Sequence, residues 1–160
     1  MSRPARLLFV CSGNLCRSPM ALYLARERAE LRDIAVEVDS AGTLGIEGRE
    51  PPDNTQAVMR EIGIPVSDHR SKGITLEHMQ WADRVLVMTY EHAATLRERF
   101  PENSEHVELL GPFGRQAPEI DDPVGRWRRF HRKVRDQIAK AVDGLLARVE
   151  RDAQEARAQR

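Results

Sequence analysis

The chain has little cysteine, no net charge and no long apolar run, and each shortage excludes something. Only two cysteines occur in 160 residues, Cys11 and Cys16. They stand close together, which is not the framework of a small disulfide-stapled secreted domain. Lysine plus arginine equals aspartate plus glutamate at 25 each, so charge gives no case for a nucleic-acid or membrane-surface partner. No apolar stretch approaches membrane-spanning length. Near the N-terminus, Arg6 to Val10 reads as one short strand, and the polar segment Cys11 to Pro19 cannot serve as the apolar stretch of a signal peptide. The expected location is therefore cytoplasmic. Hydrophobic residues at 41% and charged residues at 31% are ordinary for a soluble globular chain. At this length a core needs no staple. One domain over residues 1–150 is expected, followed by a charged tail, 151–160, that frays.

Strand and helix signals alternate along the chain. Leu7-Leu8-Phe9-Val10 is a continuous apolar run, the pattern of a strand covered on both faces. Ser18-Pro19 reads as a helix start, with a hydroxyl cap and proline in the first turn, and that helix runs to about Leu31. Val36 to Ser40 alternates as a second strand. Asp53 opens a helix to about Ile62, and Thr75 caps a short one ending near Trp81. Arg84 to Met88 is a third strand, Thr89 caps a helix to about Phe100, and Val107 to Leu110 is a fourth strand. A Pro/Gly-rich loop from Gly111 to Gly125 precedes a long helix from about Arg126 to Val149. The pattern predicts an α/β fold in three layers, a four-stranded parallel sheet with helices on both faces. In such sheets ligands bind at the carboxyl ends of the strands, where the cysteine segment falls.

That segment is Cys11-Ser12-Gly13-Asn14-Leu15-Cys16-Arg17-Ser18-Pro19. Gly13 and Asn14 tolerate positive φ angles, so the loop can turn successive backbone N–H groups inward as an anion-binding nest. The following helix offers its free N–H groups and positive dipole end to the same point. Arg17 supplies a bidentate fork for phosphate oxygens. A thiol at the bottom of such a cup is held ready to attack phosphorus, with the Ser18 hydroxyl donating to the thiolate. The phosphate-binding set is thus Ser12, Gly13, Asn14, Leu15, Cys16, Arg17 and Ser18. A zinc site is excluded by the spacing of the single cysteine pair, and a Walker A loop by the missing Gly-Lys-Ser/Thr ending. No metal or other cofactor is called for, because amides and Arg17 supply the positive potential.

Val10 to Pro19 resembles the active-site loop of the low-molecular-weight protein tyrosine phosphatases, and the likeness extends to about Val149. Asp39-Ser40-Ala41-Gly42-Thr43 looks like that family's second-strand segment. His69-Arg70-Ser71 is similar to its histidine loop, Ala82 to Met88 to its central strand, and Asp122-Pro123 to its general-acid loop. The resemblance implies Cys11 as nucleophile, Arg17 as clamp and Asp122 as general acid, with Asp121 the weaker candidate. It implies that Asn14, Ser40 and His69 brace the loop by hydrogen bonds. Cys16 beside Cys11 would be a redox residue able to form a blocking disulfide; a plain packed side chain is the alternative. Partners would be phosphorylated proteins or peptides, with phosphate and oxyanions such as vanadate as inhibitors.

Phosphotyrosine is the expected substrate, since Leu15 suits an aromatic ring better than a guanidinium. Two departures bear on it: Val124-Gly125 replaces the aromatic pair often found after Asp-Pro, and Thr43 to Arg49 lacks an aromatic wall. The alternative is a protein arginine phosphatase of the same fold, a branch that typically carries Thr at the place of Leu15. The thioredoxin-linked arsenate reductases need further cysteines that this chain lacks. A non-catalytic phosphate-binding module would not need both Cys11 and Asp122.

Overall fold

The structure is a computed structural model and describes residues 3–159. Four strands, β1 (Ala5–Cys11), β2 (Val36–Gly42), β3 (Arg84–Val87) and β4 (Val107–Leu109), form one sheet in the order β2-β1-β3-β4. Every pair is parallel, with Phe9 level with Ser40 on one side and with Leu86 on the other. The α/β architecture predicted from the alternation of apolar runs and helix signals is the one observed.

The apolar run of β1 covers both faces because successive side chains point opposite ways. Leu7 and Phe9 pack under α1 (Arg17–Leu31), α2 (Asp53–Glu61) and α5 (Arg128–Ala158). Leu8 and Val10 pack with Met79 of α3 (Leu76–Trp81) and with Ala93 and Leu96 of α4 (Tyr90–Arg99). All four β1 side chains are fully buried. From β1 the chain moves outward to β2, then returns to β3 on the other side. The strand order therefore reverses at β1, and the crevice at its carboxyl end is the switch point where such sheets bind ligands.

Two expectations need correction. Helix α1 begins at Arg17 with Cys16 in the cap position, and no side chain caps it. Ser18 lies inside the first turn, and its hydroxyl is turned to the site instead. Helix α5 starts at Arg128 and continues through Ala158, where fraying was expected from residue 151. Arg148 Nε lies 3.6 Å from Asp152 Oδ1 one turn on, and Arg84 on the sheet donates to Asp152 Oδ2 at 2.9 Å. Such pairs add support to exposed turns of helix. The Pro/Gly-rich stretch is also more ordered than its composition suggests, with a 3-10 turn at Gly111–Gly114.

One glycine is imposed by the fold. β2 passes so close to the cysteine loop that a Cβ on Gly42 would stand 2.6 Å from Ser12 O and 2.9 Å from Asn14 N. The same approach lets Thr43 N donate to Cys11 O and Leu44 N to Ser12 O. The exit of β2 is thereby laced to the loop.

Candidate active site

The loop from Cys11 to Ser18 joins β1 directly to α1, with no residue between the last strand position and the cysteine. Cys11 is buried, and its Sγ lies 3.0 Å from Ser18 Oγ. This places the hydroxyl where it can donate to a thiolate. Asn14 adopts φ 57°, a left-handed conformation that Asn tolerates better than most residues.

Asn14 is the hub of the brace. Its side-chain amide donates to Ser18 Oγ at 2.8 Å and to Ser40 Oγ at 2.9 Å. Its Oδ1 accepts from Lys72 N at 3.0 Å, and its main-chain carbonyl accepts from His69 Nε2 at 2.8 Å. Asn14, Ser18, Ser40 and His69 are all buried. Burial holds His69 below its ordinary pKa despite the bond to the Asn14 carbonyl, so the ring is neutral with its proton on Nε2. The structure thus brings together the three bracing residues that the resemblance implied.

Arg17 is buried too. Its Nη1 donates to Ile120 O at 2.9 Å, its Nη2 reaches Ser12 Oγ at 3.4 Å, and Nη2 lies 3.5 Å from Asp122 Oδ2. The Ile120 contact crosses 103 residues of sequence. Ile120 N itself donates to Met88 O at 2.9 Å, so the loop bearing Asp122 is anchored where β3 ends. Asp122 is half-exposed, its Oδ1 accepting from Val124 N at 3.1 Å. Asp121 is exposed beside it on the wall of the same cleft. Of the two, the structure sets Asp122 against Arg17.

Ser12, Gly13 and Leu15 form the accessible side of the loop, all part-buried. Leu15 Cδ1 and Ile46 Cδ1 converge beside Gly13, at 3.3 and 3.6 Å from the position a Cβ would take there. Leu44 is exposed nearby in sequence. Cys16 faces inward. Burial pushes its thiol up to about 12, against an opposing hydrogen bond from Thr55. Both cysteines are free.

His92 was not anticipated. Its Nε2 lies 2.8 Å from Ser12 Oγ, and burial together with the charge of Arg17 pulls its pKa down to about 4. The signal for it was present: Thr89 caps α4, its Oγ1 accepting from His92 N at 3.2 Å. That spacing puts residue 92 in the first turn after β3, at the sheet's ligand-binding end.

The cleft over these groups is small, about 290 Å³, and is lined by Ser12, Arg17, His92, Ile120, Asp121 and Asp122 among others. Grooves of about 500 and 640 Å³ lie elsewhere on the surface. What distinguishes this cleft is that a buried guanidinium and a carboxylate line it together, beside the loop that starts at the Cys11 thiol, turns at Asn14 and ends in a helix N-terminus. That combination suits capture of a tetrahedral oxyanion and attack on its centre.

Comparison with known proteins agrees. Residues 6–155 match the low molecular weight phosphotyrosine protein phosphatase family. A protein-arginine-phosphatase from Geobacillus stearothermophilus is 39% identical over 92% of this chain and 97% of its own. Low molecular weight protein-tyrosine phosphatase A from Mycobacterium tuberculosis is 35% identical over 91% of each. The solved structure of the YwlE arginine phosphatase from Geobacillus stearothermophilus superposes with a TM-score of 0.85, at 38% identity, over 95% of this chain and 97% of that one. The low molecular weight protein tyrosine phosphatase from T. tengcongensis gives the same TM-score at 31% identity, over 90% and 99%. With the cysteine loop, the arginine and the parallel sheet all in the expected places, this chain belongs to the low molecular weight phosphotyrosine protein phosphatase family, whose members are phosphoric monoester hydrolases.

Proposed function

We propose that this phosphatase removes phosphate from tyrosine side chains of proteins, with Cys11 as nucleophile, Arg17 as phosphate clamp and Asp122 as general acid and then base. The Cys11 sulfur attacks phosphorus while Arg17 and the loop amides hold the equatorial oxygens. As the bond from phosphorus to the phenolic oxygen breaks, Asp122 gives its proton to that oxygen. Asp122, now ionised, takes a proton from water as the water attacks the phosphocysteine. Inorganic phosphate leaves, and the Cys11 thiolate returns to the Ser18 hydroxyl, 3.0 Å away. Ser40, His69 and Asn14 keep the loop rigid, so its N–H groups stay aimed through both steps.

The observation that supports phosphotyrosine is the pairing of Leu15 with Ile46 beside Gly13. Two aliphatic side chains flanking the phosphate loop make an apolar wall for an aromatic ring. A guanidinium would lose hydration against that wall without gaining a partner.

Phosphoarginine in proteins is the second reading, and two observations favour it. The 39% identity to a protein-arginine-phosphatase runs along nearly the whole chain. The cleft is also lined by Glu91, Glu119 and Asp121, carboxylates able to face a guanidinium. Initial rates on phosphotyrosine and phosphoarginine peptides, for wild type and Leu15→Thr, separate the two. Wild type is expected to prefer phosphotyrosine, and Leu15→Thr to move the ratio toward phosphoarginine. A strong wild-type preference for phosphoarginine overturns the substrate assignment. Cys11→Ser should abolish turnover of p-nitrophenyl phosphate, and equal rates in the two proteins would remove the nucleophile. Phosphate and vanadate are expected to inhibit competitively by occupying the loop.

A further inference from the structure

His92 takes no part in the chemistry above, yet it is buried and lines the cleft over the phosphate loop. Its Nδ1 is shielded from solvent and has no hydrogen-bond partner. An apolar side chain would fill the place without that cost, so the imidazole needs a reason to be there. Its other nitrogen supplies one: Nε2 lies 2.8 Å from Ser12 Oγ, across 80 residues of sequence.

Ser12 Oγ also accepts from Arg17 Nη2 at 3.4 Å. The other arm of that guanidinium, Nη1, donates to Ile120 O at 2.9 Å, and Ile120 N donates in turn to Met88 O. Both arms of Arg17 are thus tethered to the corner where β3 passes into α4, one through Ile120 and one through Ser12 and His92. That corner is firm. Met88 is fully buried. Thr89 caps α4, its Oγ1 accepting from His92 N at 3.2 Å, and the Glu119 carboxylate accepts from Tyr90 N at 3.0 Å.

The Ser12 contact matters because of what else stands beside Nη2. Asp122 Oδ2 is 3.5 Å from it, and a carboxylate attracts a guanidinium more strongly than a neutral hydroxyl does. With Ser12 held by His92, Nη2 has a fixed partner on the loop side. Burial and the charge of Arg17 keep the His92 ring neutral, so it holds Ser12 without adding a second cation.

We propose that His92 is a positioning residue for the phosphate clamp: through Ser12 Oγ it fixes the Nη2 arm of Arg17, so that the fork faces a bound oxyanion rather than turning to Asp122. The proposal rests on the assignment of Arg17 as the clamp. If His92 merely packed the corner, its loss would lower stability and leave the oxyanion affinity of the folded protein unchanged. If it positions the clamp, its loss weakens oxyanion binding only while Arg17 is there to be positioned.

The test is a double-mutant cycle on vanadate affinity. The dissociation constant is read from the protection that vanadate gives Cys11 against alkylation by iodoacetate, which needs no turnover. The proteins are wild type, His92→Phe, His92→Gln, Ser12→Ala and Arg17→Lys, with His92→Phe and Ser12→Ala also combined with Arg17→Lys. Far-UV circular dichroism and melting curves check each fold. His92→Phe is expected to weaken vanadate binding about three- to tenfold, the size of one net hydrogen bond, and Ser12→Ala by a similar factor. His92→Gln can still reach Ser12 and should stay within about twofold of wild type. In the Arg17→Lys background, His92→Phe should add less than about twofold. Unchanged affinity in folded His92→Phe overturns the proposal, as does a His92→Phe loss equally large with and without Arg17→Lys; either result leaves Arg17 as the clamp. If His92→Phe does not fold, Ser12→Ala and its combination with Arg17→Lys decide by the same criteria. If Arg17→Lys itself binds vanadate as tightly as wild type, the clamp assignment fails and the positioning role falls with it.

Discussion

Replacing Asn14 by alanine should cost this protein stability and activity together, by an amount that can be worked from its contacts. Asn14 is fully buried. Its side chain donates to Ser18 and Ser40 and accepts from Lys72 N, three bonds of 2.8, 2.9 and 3.0 Å. At about 0.5–1.5 kcal/mol net for each, their loss amounts to about 1.5–4.5 kcal/mol. The hydroxyls of Ser18 and Ser40 can rotate to other partners, but the Lys72 N–H cannot. Alanine must also hold φ near 57°, which costs an L-residue about 1–2 kcal/mol. The expected destabilisation is therefore about 2.5–6.5 kcal/mol, read as a lower urea midpoint at unchanged slope. For a chain of this size that corresponds to a fall in melting temperature of about 5–25 °C. Asn14→Gly loses the same bonds without the left-handed strain, so it should stand about 1 kcal/mol above Asn14→Ala. Turnover of p-nitrophenyl phosphate should drop at least tenfold in both, because Ser18 loses the donor that orients it toward Cys11. A loss below about 1 kcal/mol in Asn14→Ala, or an alanine variant more stable than the glycine one, would refute the reasoning.

Two further predictions come from other parts of the site. Gly42→Ala places a Cβ against Ser12 O and Asn14 N, both main chain, so the loop itself must move. About 1–3 kcal/mol of destabilisation is expected, with kcat/KM lowered by more than the fold, since the displaced atoms are those that aim the nest; stability and kinetics measured on one preparation check this. His92 has its pKa depressed to about 4 from an ordinary 6.5. The unfolded chain therefore binds a proton at this position between pH 6.5 and 4 that the folded chain does not. The stability of the native state should fall as pH drops through that window, by up to about 3 kcal/mol for this group alone. His92→Gln, which can still reach Ser12, should show a flatter urea-midpoint profile between pH 6.5 and 4, and identical slopes in the two proteins would exclude the assignment.

How much was legible beforehand depended on how local each feature is. The phosphate loop is built from consecutive residues between one strand and one helix, so its chemistry could be read from spacing and residue type. The four-stranded parallel sheet follows the same logic, since short apolar runs alternating with helix signals point to parallel strands joined by helical crossovers, whereas the strand order came only from the structure. The cap at Ser18 was misjudged because the helix begins two residues earlier, with the serine hydroxyl engaged by Cys11 and Asn14 rather than by the backbone. The tail after residue 150 was misjudged because its support comes from Arg84, far away in sequence on the sheet.

By itself, the order of residues from Leu7 to Pro19 determined that a thiol would sit beneath an anion nest at the end of a buried strand, with an arginine at the start of the helix that follows. Geometry confined to neighbouring residues is set by backbone sterics and side-chain type, and those are written locally. The tertiary structure alone decided what surrounds that thiol. Ser12 meets His92 across 80 residues, Arg17 meets Ile120 across 103, and Thr55 meets His131 across 76. Those meetings arise because the parallel sheet reverses its order at β1, so the ends of β1 and β3 and the start of α5 converge on one crevice. No periodicity in the chain announces such a pairing, because its partners share nothing in sequence and become neighbours only when the core closes.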